Sequence, residues 1–140
     1  MMTEPSPARQ AYARFASREV GPPPRDTAMV ALDFASGVTG MLATVRATPL
    51  YWRLHLFGTL GSAEVLDETT LVLRKSGRQP QTLRFDPVNV LAAELEAFAD
   101  AVEGKRPFPA PESDVLATLS AFEAALASMR QGTLVNCDGC

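Results

Sequence analysis

Up to residue 85 this chain carries several stretches in which polar and apolar residues alternate, and the period then changes. Residues 51–57 show the alternation most clearly. Trp52, Leu54 and Leu56 point one way, and Tyr51, Arg53, His55 and Phe57 the other. A period of two marks a strand with two unlike faces. Gly58-Thr59-Leu60-Gly61 ends it in a turn. Residues 11–20 set Tyr12, Arg14, Ala16 and Arg18 against Ala13, Phe15 and Ser17, which predicts a first strand. Gly21-Pro22-Pro23-Pro24 follows as a loop, because proline has no N–H for a ladder. Over 27–34, Ala28, Val30, Leu32 and Phe34 make one face and Thr27, Met29, Ala31 and Asp33 the other. Residues 38–47 return as the second arm of a hairpin, with Met41, Ala43, Val45 and Ala47 opposite Leu42, Thr44 and Arg46. Further strands are predicted over 62–66, 70–74 and 81–85. Connections this short require antiparallel neighbours, since a parallel crossover takes a dozen residues or more.

From residue 86 the pattern is helical. Asp86-Pro87 reads as a helix start. Val88, Leu91, Leu95, Phe98 and Val102 then form one stripe, which Gly104 closes. A stiff connector, 105–111, leads to a second helix over 112–130 with the stripe Val115, Leu119, Phe122, Leu126 and Met129. Its Ala117, Ala121, Ala124, Ala125 and Ser128 are small enough for close approach to another layer. Gly132 ends it, and Leu134-Val135 adds a short extended segment.

Strands first and helices last predict an α+β domain. The expected architecture is an open, mostly antiparallel sheet of about six or seven strands with two C-terminal helices on one face. Residues 1–10 are expected as a flexible tail, 11–136 as a single domain and 137–140 as a C-terminal tail. The second sheet face is then free for a partner. Its expected members are Thr27, Met29, Ala31, Leu42, Thr44, Arg46, Tyr51, Arg53, His55 and Phe57, although no pattern rule says which face the helices take. Apolar residues interleaved with Arg, His and Tyr resemble an interface, so a sheet-to-sheet homodimer is expected.

Composition narrows the chemistry. A net charge of −3 supplies no basic field for nucleic acid. No apolar run reaches the roughly 18 residues of a membrane span, and Met1 to Arg9 has no secretory h-region, so a cytoplasmic protein is expected. Cys137 and Cys140 form one C-x-x-C pair, short of a four-ligand zinc site, and are expected in a tail without chemistry. Gly-x-x-Gly at 37–40 and 58–61 reads as turn glycine, because neither stretch precedes a helix. The single His has no nucleophile or carboxylate at a telling spacing, so no catalytic residue is assigned. Arg46, Tyr51, Trp52, Arg53 and His55 are the candidates for a substrate-side or interface site, with Asp33 an expected partner of one arginine. Trp52 is expected in the core under the helices. Glu96, Asp100 and Glu103 are expected on the outer face of the first helix.

Phe34-Ala35-Ser36-Gly37, Gly40, Thr48-Pro49, Gly58-Thr59-Leu60-Gly61-Ser62, Glu94 to Phe98 and Arg106-Pro107-Phe108-Pro109, in this order, resemble the C-terminal domain of the Gfo/Idh/MocA oxidoreductases. The resemblance covers about residues 11–136. It implies a separate Rossmann domain that binds NAD or NADP, a Glu-Lys-Pro lysine and an Asp…His pair serving sugar or cyclitol oxidation. None of these maps onto this chain, so no cofactor is expected on it and it is expected to be inactive alone. What maps is the sheet that walls the substrate and joins subunits. The expected partners are a second copy and a Rossmann-domain chain; the alternative is a free-standing binding or assembly module without redox activity.

Overall fold

The computed structural model describes residues 6–16, 26–46 and 48–137. In chain order the elements are β1 (Ala8–Ala16), β2 (Thr27–Phe34), β3 (Thr39–Val45), β4 (Leu54–Gly58), β5 (Gly61–Asp67), β6 (Thr70–Lys75), β7 (Gln81–Arg84), α1 (Val90–Val102), α2 (Glu112–Gln131) and β8 (Val135–Asn136). The class is α+β, as the order of periods requires. The strands form two four-stranded antiparallel sheets, β3-β2-β1-β8 and β4-β5-β6-β7, where one open sheet of six or seven was expected. Alternation fixes which side chains share a face of a strand. It carries no information on where a run of strands breaks into a second ladder.

The chain divides into two compact units, one of Met1–Thr48 with Pro109–Cys140 and the other of Pro49–Phe108. In the first unit, β1 begins at Ala8, inside the segment expected as a tail. Positions 17–20, the proline loop at 21–24, Ala47 and Cys140 lie outside the described residues. Directly paired residues share a face, so Ala13↔Val30 and Ala11↔Leu32 put Ala11, Ala13, Val30 and Leu32 together. Helix α2 packs on this face through β1. The buried cluster is Ala8, Ala11, Ala13, Val30, Ala124, Ala125 and Cys137. Alanine against alanine lets helix and strand approach closely, which is the use predicted for the small residues of α2.

One hydroxyl pins that contact. Ser128 is fully buried; its Oγ accepts the Ala13 backbone N–H at 2.8 Å and donates to the Thr133 carbonyl at 2.5 Å. Gly132 then ends α2 in the left-handed region at φ 71, its N–H on the Ser128 carbonyl. The predicted stripe of α2 divides: Val115, Leu119 and Phe122 are exposed, whereas Leu126 and Met129 are half-buried and Met129 packs against the core. Cys137 is in the core, and its N–H donates to the Arg9 carbonyl at 2.8 Å, so this cysteine is not part of a tail.

The face of this sheet away from Ala11, Ala13 and Val30 carries Tyr12 and Arg14 of β1, Met29 and Ala31 of β2, and Met41, Ala43 and Val45 of β3. The register corrects the expected membership. Val30↔Leu42 and Ala28↔Thr44 place Leu42 and Thr44 on the α2 side, and Ala31↔Met41 places Met41 on the other.

In the second unit, β4 to β7 form a meander. Leu54, Leu56, Ala63, Val65, Leu71, Leu73 and Leu83 share one face, and His55, Phe57, Ser62, Glu64, Val72, Arg74 and Thr82 the other. Helix α1 starts later than expected. Its cap is Asn89, whose Oδ1 accepts the Ala92 N–H at 3.1 Å, and not Asp86. The predicted stripe of Leu91, Leu95, Phe98 and Val102 is exposed, and no residue of α1 is buried.

Candidate functional site

The polar face of the second unit gathers most of the expected site. Glu64 of β5 lies opposite His55 of β4. Its two carboxylate oxygens each take one arginine: Oε1 accepts from Arg53 at 2.9 Å and Oε2 from Arg74 at 2.7 Å. The Glu64 side chain is only 13% exposed, against 41% and 43% for the two arginines. Arg53 also lies over the Tyr51 ring, 5.4 Å from its centroid. His55 and Phe57, two residues apart on one strand and therefore on one face, stack with ring centroids 3.9 Å apart. Phe57 nonetheless remains 80% exposed.

Several expected positions change. The partner of Arg53 is Glu64, and not Asp33. Sequence spacing had no means to find Glu64, because the pairing crosses two strands and depends on register. Arg74 was missed for the same reason. Trp52 is 44% exposed, and is not a core residue. It precedes β4, whose ladder begins at Leu54, so the alternation that assigned it to the oily face does not bind it to the sheet. Arg46 belongs to the first unit, where its N–H donates to the Asp26 carbonyl at 2.6 Å.

The electrostatics follow from the contacts. The hydrogen bond from Arg53, and then that from Arg74, holds the Glu64 carboxyl below the usual glutamate range. The same bond to Glu64 raises the Arg53 pKa. A carboxyl with a depressed folded pKa stabilises the fold above its unfolded pKa, and that contribution is lost as pH falls through the folded value. The backbone N–H of Thr69 lowers the Asp67 carboxyl in the same direction. The melting temperature is therefore expected to fall as pH drops below the ordinary glutamate range, about 4.3. Glu64→Gln removes part of that dependence and leaves the part due to Asp67; thermal melts from pH 6 to 3 check this. Identical slopes in the variant and the parent would contradict it.

Asp100 of α1 pairs with Arg106 (Nε at 2.8 Å) and with Lys105 at 3.6 Å; its side chain is half-buried rather than on the fully solvated face expected. Among the described residues no group of His, Cys, Asp or Glu is placed to hold a metal ion. No helix of the described residues is long and apolar enough to cross a membrane. Among the described residues the glycines of the two Gly-x-x-Gly stretches stand within or between strands. Gly37 turns between β2 and β3, Gly40 lies within β3, and Gly58 and Gly61 pair across the β4–β5 hairpin. No described strand leads through a glycine loop into a helix.

No protein-family model matches the sequence, and no curated protein matches it. Solved structures do. A protein assigned as an NADPH-dependent oxidoreductase from Desulfitobacterium hafniense matches with a TM-score of 0.80 at 19% identity, covering 94% of this chain and 42% of its own. The fold is that of the Gfo/Idh/MocA-type oxidoreductases. An oxidoreductase from Agrobacterium radiobacter, solved with NAD+, L-tartaric acid and magnesium, shares this fold with a TM-score of 0.77 at 18% identity over 94% of this chain and 44% of its own. Aldose-aldose oxidoreductase from Caulobacter crescentus, solved with glycerol, gives 0.76 at 19% identity over 94% and 42%. The chain thus spans less than half the length of these Gfo/Idh/MocA-type structures.

Proposed function

We propose that this chain is the substrate-side and oligomerisation domain of a Gfo/Idh/MocA-like, NAD(P)-dependent oxidoreductase of the sugar or cyclitol type, and that it works with a dinucleotide-binding domain supplied separately. One observation carries the reading: 94% of this chain superposes on oxidoreductases of which it covers only 42%. In this reading the nicotinamide cofactor supplies hydride chemistry on the other domain. This chain contributes the polar face built from Tyr51, Arg53 and His55. The surface of Tyr12, Met29, Met41, Ala43 and Val45 joins two copies. Met41 is 79% exposed there, and solvent is a poor neighbour for a methionine flanked by alanine and valine. The protein acts in the cytoplasm.

The test is reconstitution. The chain is expressed alone and together with a dinucleotide-binding domain of this oxidoreductase type, and NAD(P)H turnover is followed with sugars and cyclitols. The expected result is a stable complex with turnover and no turnover from the chain alone, which sediments at twice its monomer mass. A chain that forms no such complex yet binds a small molecule is a free-standing binding module, and the reading fails.

A further inference from the structure

We propose that the Arg53–Glu64–Arg74 face binds small ligands bearing a phosphate or carboxylate group. The oxyanion sits on the two guanidinium groups, and the carbon skeleton lies over Ser62 against Phe57. This rests on the reading of that face as the substrate side, and it names the ligand chemistry that the face selects.

Charge is the first argument. Two arginines share one carboxylate, so the group keeps one net positive charge. Each arginine meets only one oxygen of Glu64 and stays exposed, at 41% for Arg53 and 43% for Arg74, so both guanidinium groups are open to a second anion. A guanidinium has five N–H donors in a planar fork that matches an oxyanion. The Glu64 contact uses one terminal nitrogen of each. The carboxylate also holds both forks in place before any ligand arrives, which lowers the ordering cost of binding.

Shape is the second. The register puts Phe57, Ser62 and Arg74 in one row across β4, β5 and β6. Adjacent strands are about 4.8 Å apart, so Phe57 and Arg74 stand roughly 10 Å apart with only a serine between them. That is a shallow trough with an aromatic wall, a cationic wall and a hydroxyl floor. The Phe57 ring is 80% exposed yet braced by the His55 ring at 3.9 Å. A braced, solvent-facing ring beside a cationic group suits a ligand that is apolar at one end and anionic at the other. A neutral ligand would leave the positive charge unanswered.

Binding is read by isothermal titration calorimetry. The full chain is titrated with glucose 6-phosphate, gluconate, inorganic phosphate and glucose. At least one of the two sugar anions is expected to give a saturable change, and glucose none at tenfold higher concentration. Tighter binding of glucose 6-phosphate or of gluconate tells phosphate from carboxylate. Arg53→Gln and Arg74→Gln, each checked for folding by circular dichroism, are expected to weaken binding at least tenfold. Phe57→Ala weakens the sugar anion and leaves inorganic phosphate unchanged. No saturation with either sugar anion, an equal response to glucose, or full affinity in a folded Arg74→Gln variant overturns the proposal. Should binding fail while reconstitution still yields turnover, the ligand assignment falls and the two-part reading stands. Should binding succeed without reconstitution, the reverse holds.

Discussion

Gly61→Ala destabilises the second unit by about 3 kcal/mol or more, whereas Gly58→Ala, three residues earlier, changes stability by about 1 kcal/mol or less. Both glycines belong to one hairpin and pair with each other across it. Their backbones differ. Gly61 sits at φ 152, a region in which side-chain-bearing residues are strained, and a Cβ there would lie 2.0 Å from the Arg74 carbonyl oxygen. That oxygen belongs to the backbone of the neighbouring strand and cannot swing aside, so β5 and β6 would have to part. A Cβ on Gly58 would meet the Gly61 carbonyl oxygen at 3.6 Å, an ordinary contact. Urea denaturation of both variants checks the contrast. Equal stabilities would show that the hairpin accommodates a side chain at either end. Because the clash falls on Arg74, the same substitution is expected to disturb the Glu64 bridge.

Ser128→Ala is expected to cost about 1–3 kcal/mol, the penalty for leaving a buried polar group without a partner. The change removes one oxygen and no packing volume of consequence. It strands the Ala13 N–H, which donates to Ser128 Oγ at 2.8 Å inside the core. It also releases the Thr133 carbonyl just beyond the end of α2. Ser128→Thr keeps the hydroxyl but adds a methyl where the helix lies close to β1, so it tests whether the site is polar-limited or space-limited. Chemical denaturation of the three proteins gives the order. A Ser128→Ala variant as stable as the parent would mean that the Ala13 N–H finds another acceptor.

The legible part of the fold was the part that depends on period. Thr27–Phe34 was predicted at its observed bounds, and β3, β5, β6, β7 and α2 within a residue or two. Strand period and helix period are properties of consecutive side chains, so they survive without a tertiary structure. Helix capping was less legible. Asp86 and Asn89 are both competent caps, and only the backbone path before Val90 selects Asn89. The α2 stripe reaches the core only at its C-terminal end, where Met129 packs beside Ala124 and Ala125; Val115, Leu119 and Phe122 are exposed. The side that packs on β1 is the one where two backbones come closest, and alanine and serine permit that.

For the candidate face, alternation alone predicts a strand around His55 with Tyr51, Arg53, His55 and Phe57 on one side; of these, His55 and Phe57 lie within β4 and share a face by register. The sequence also determined the α+β class and the role of the 58–61 glycines as turn residues rather than a nucleotide loop. Only the tertiary structure decided that Glu64 and Arg74 complete the face, that Cys137 is core, that Trp52 is open to solvent, and that the strands part into two sheets. The physical reason is the same in each case. These outcomes depend on which strand lies beside which, and in what register. One residue of slip would turn Glu64 to the opposite face and leave Arg53 without its carboxylate.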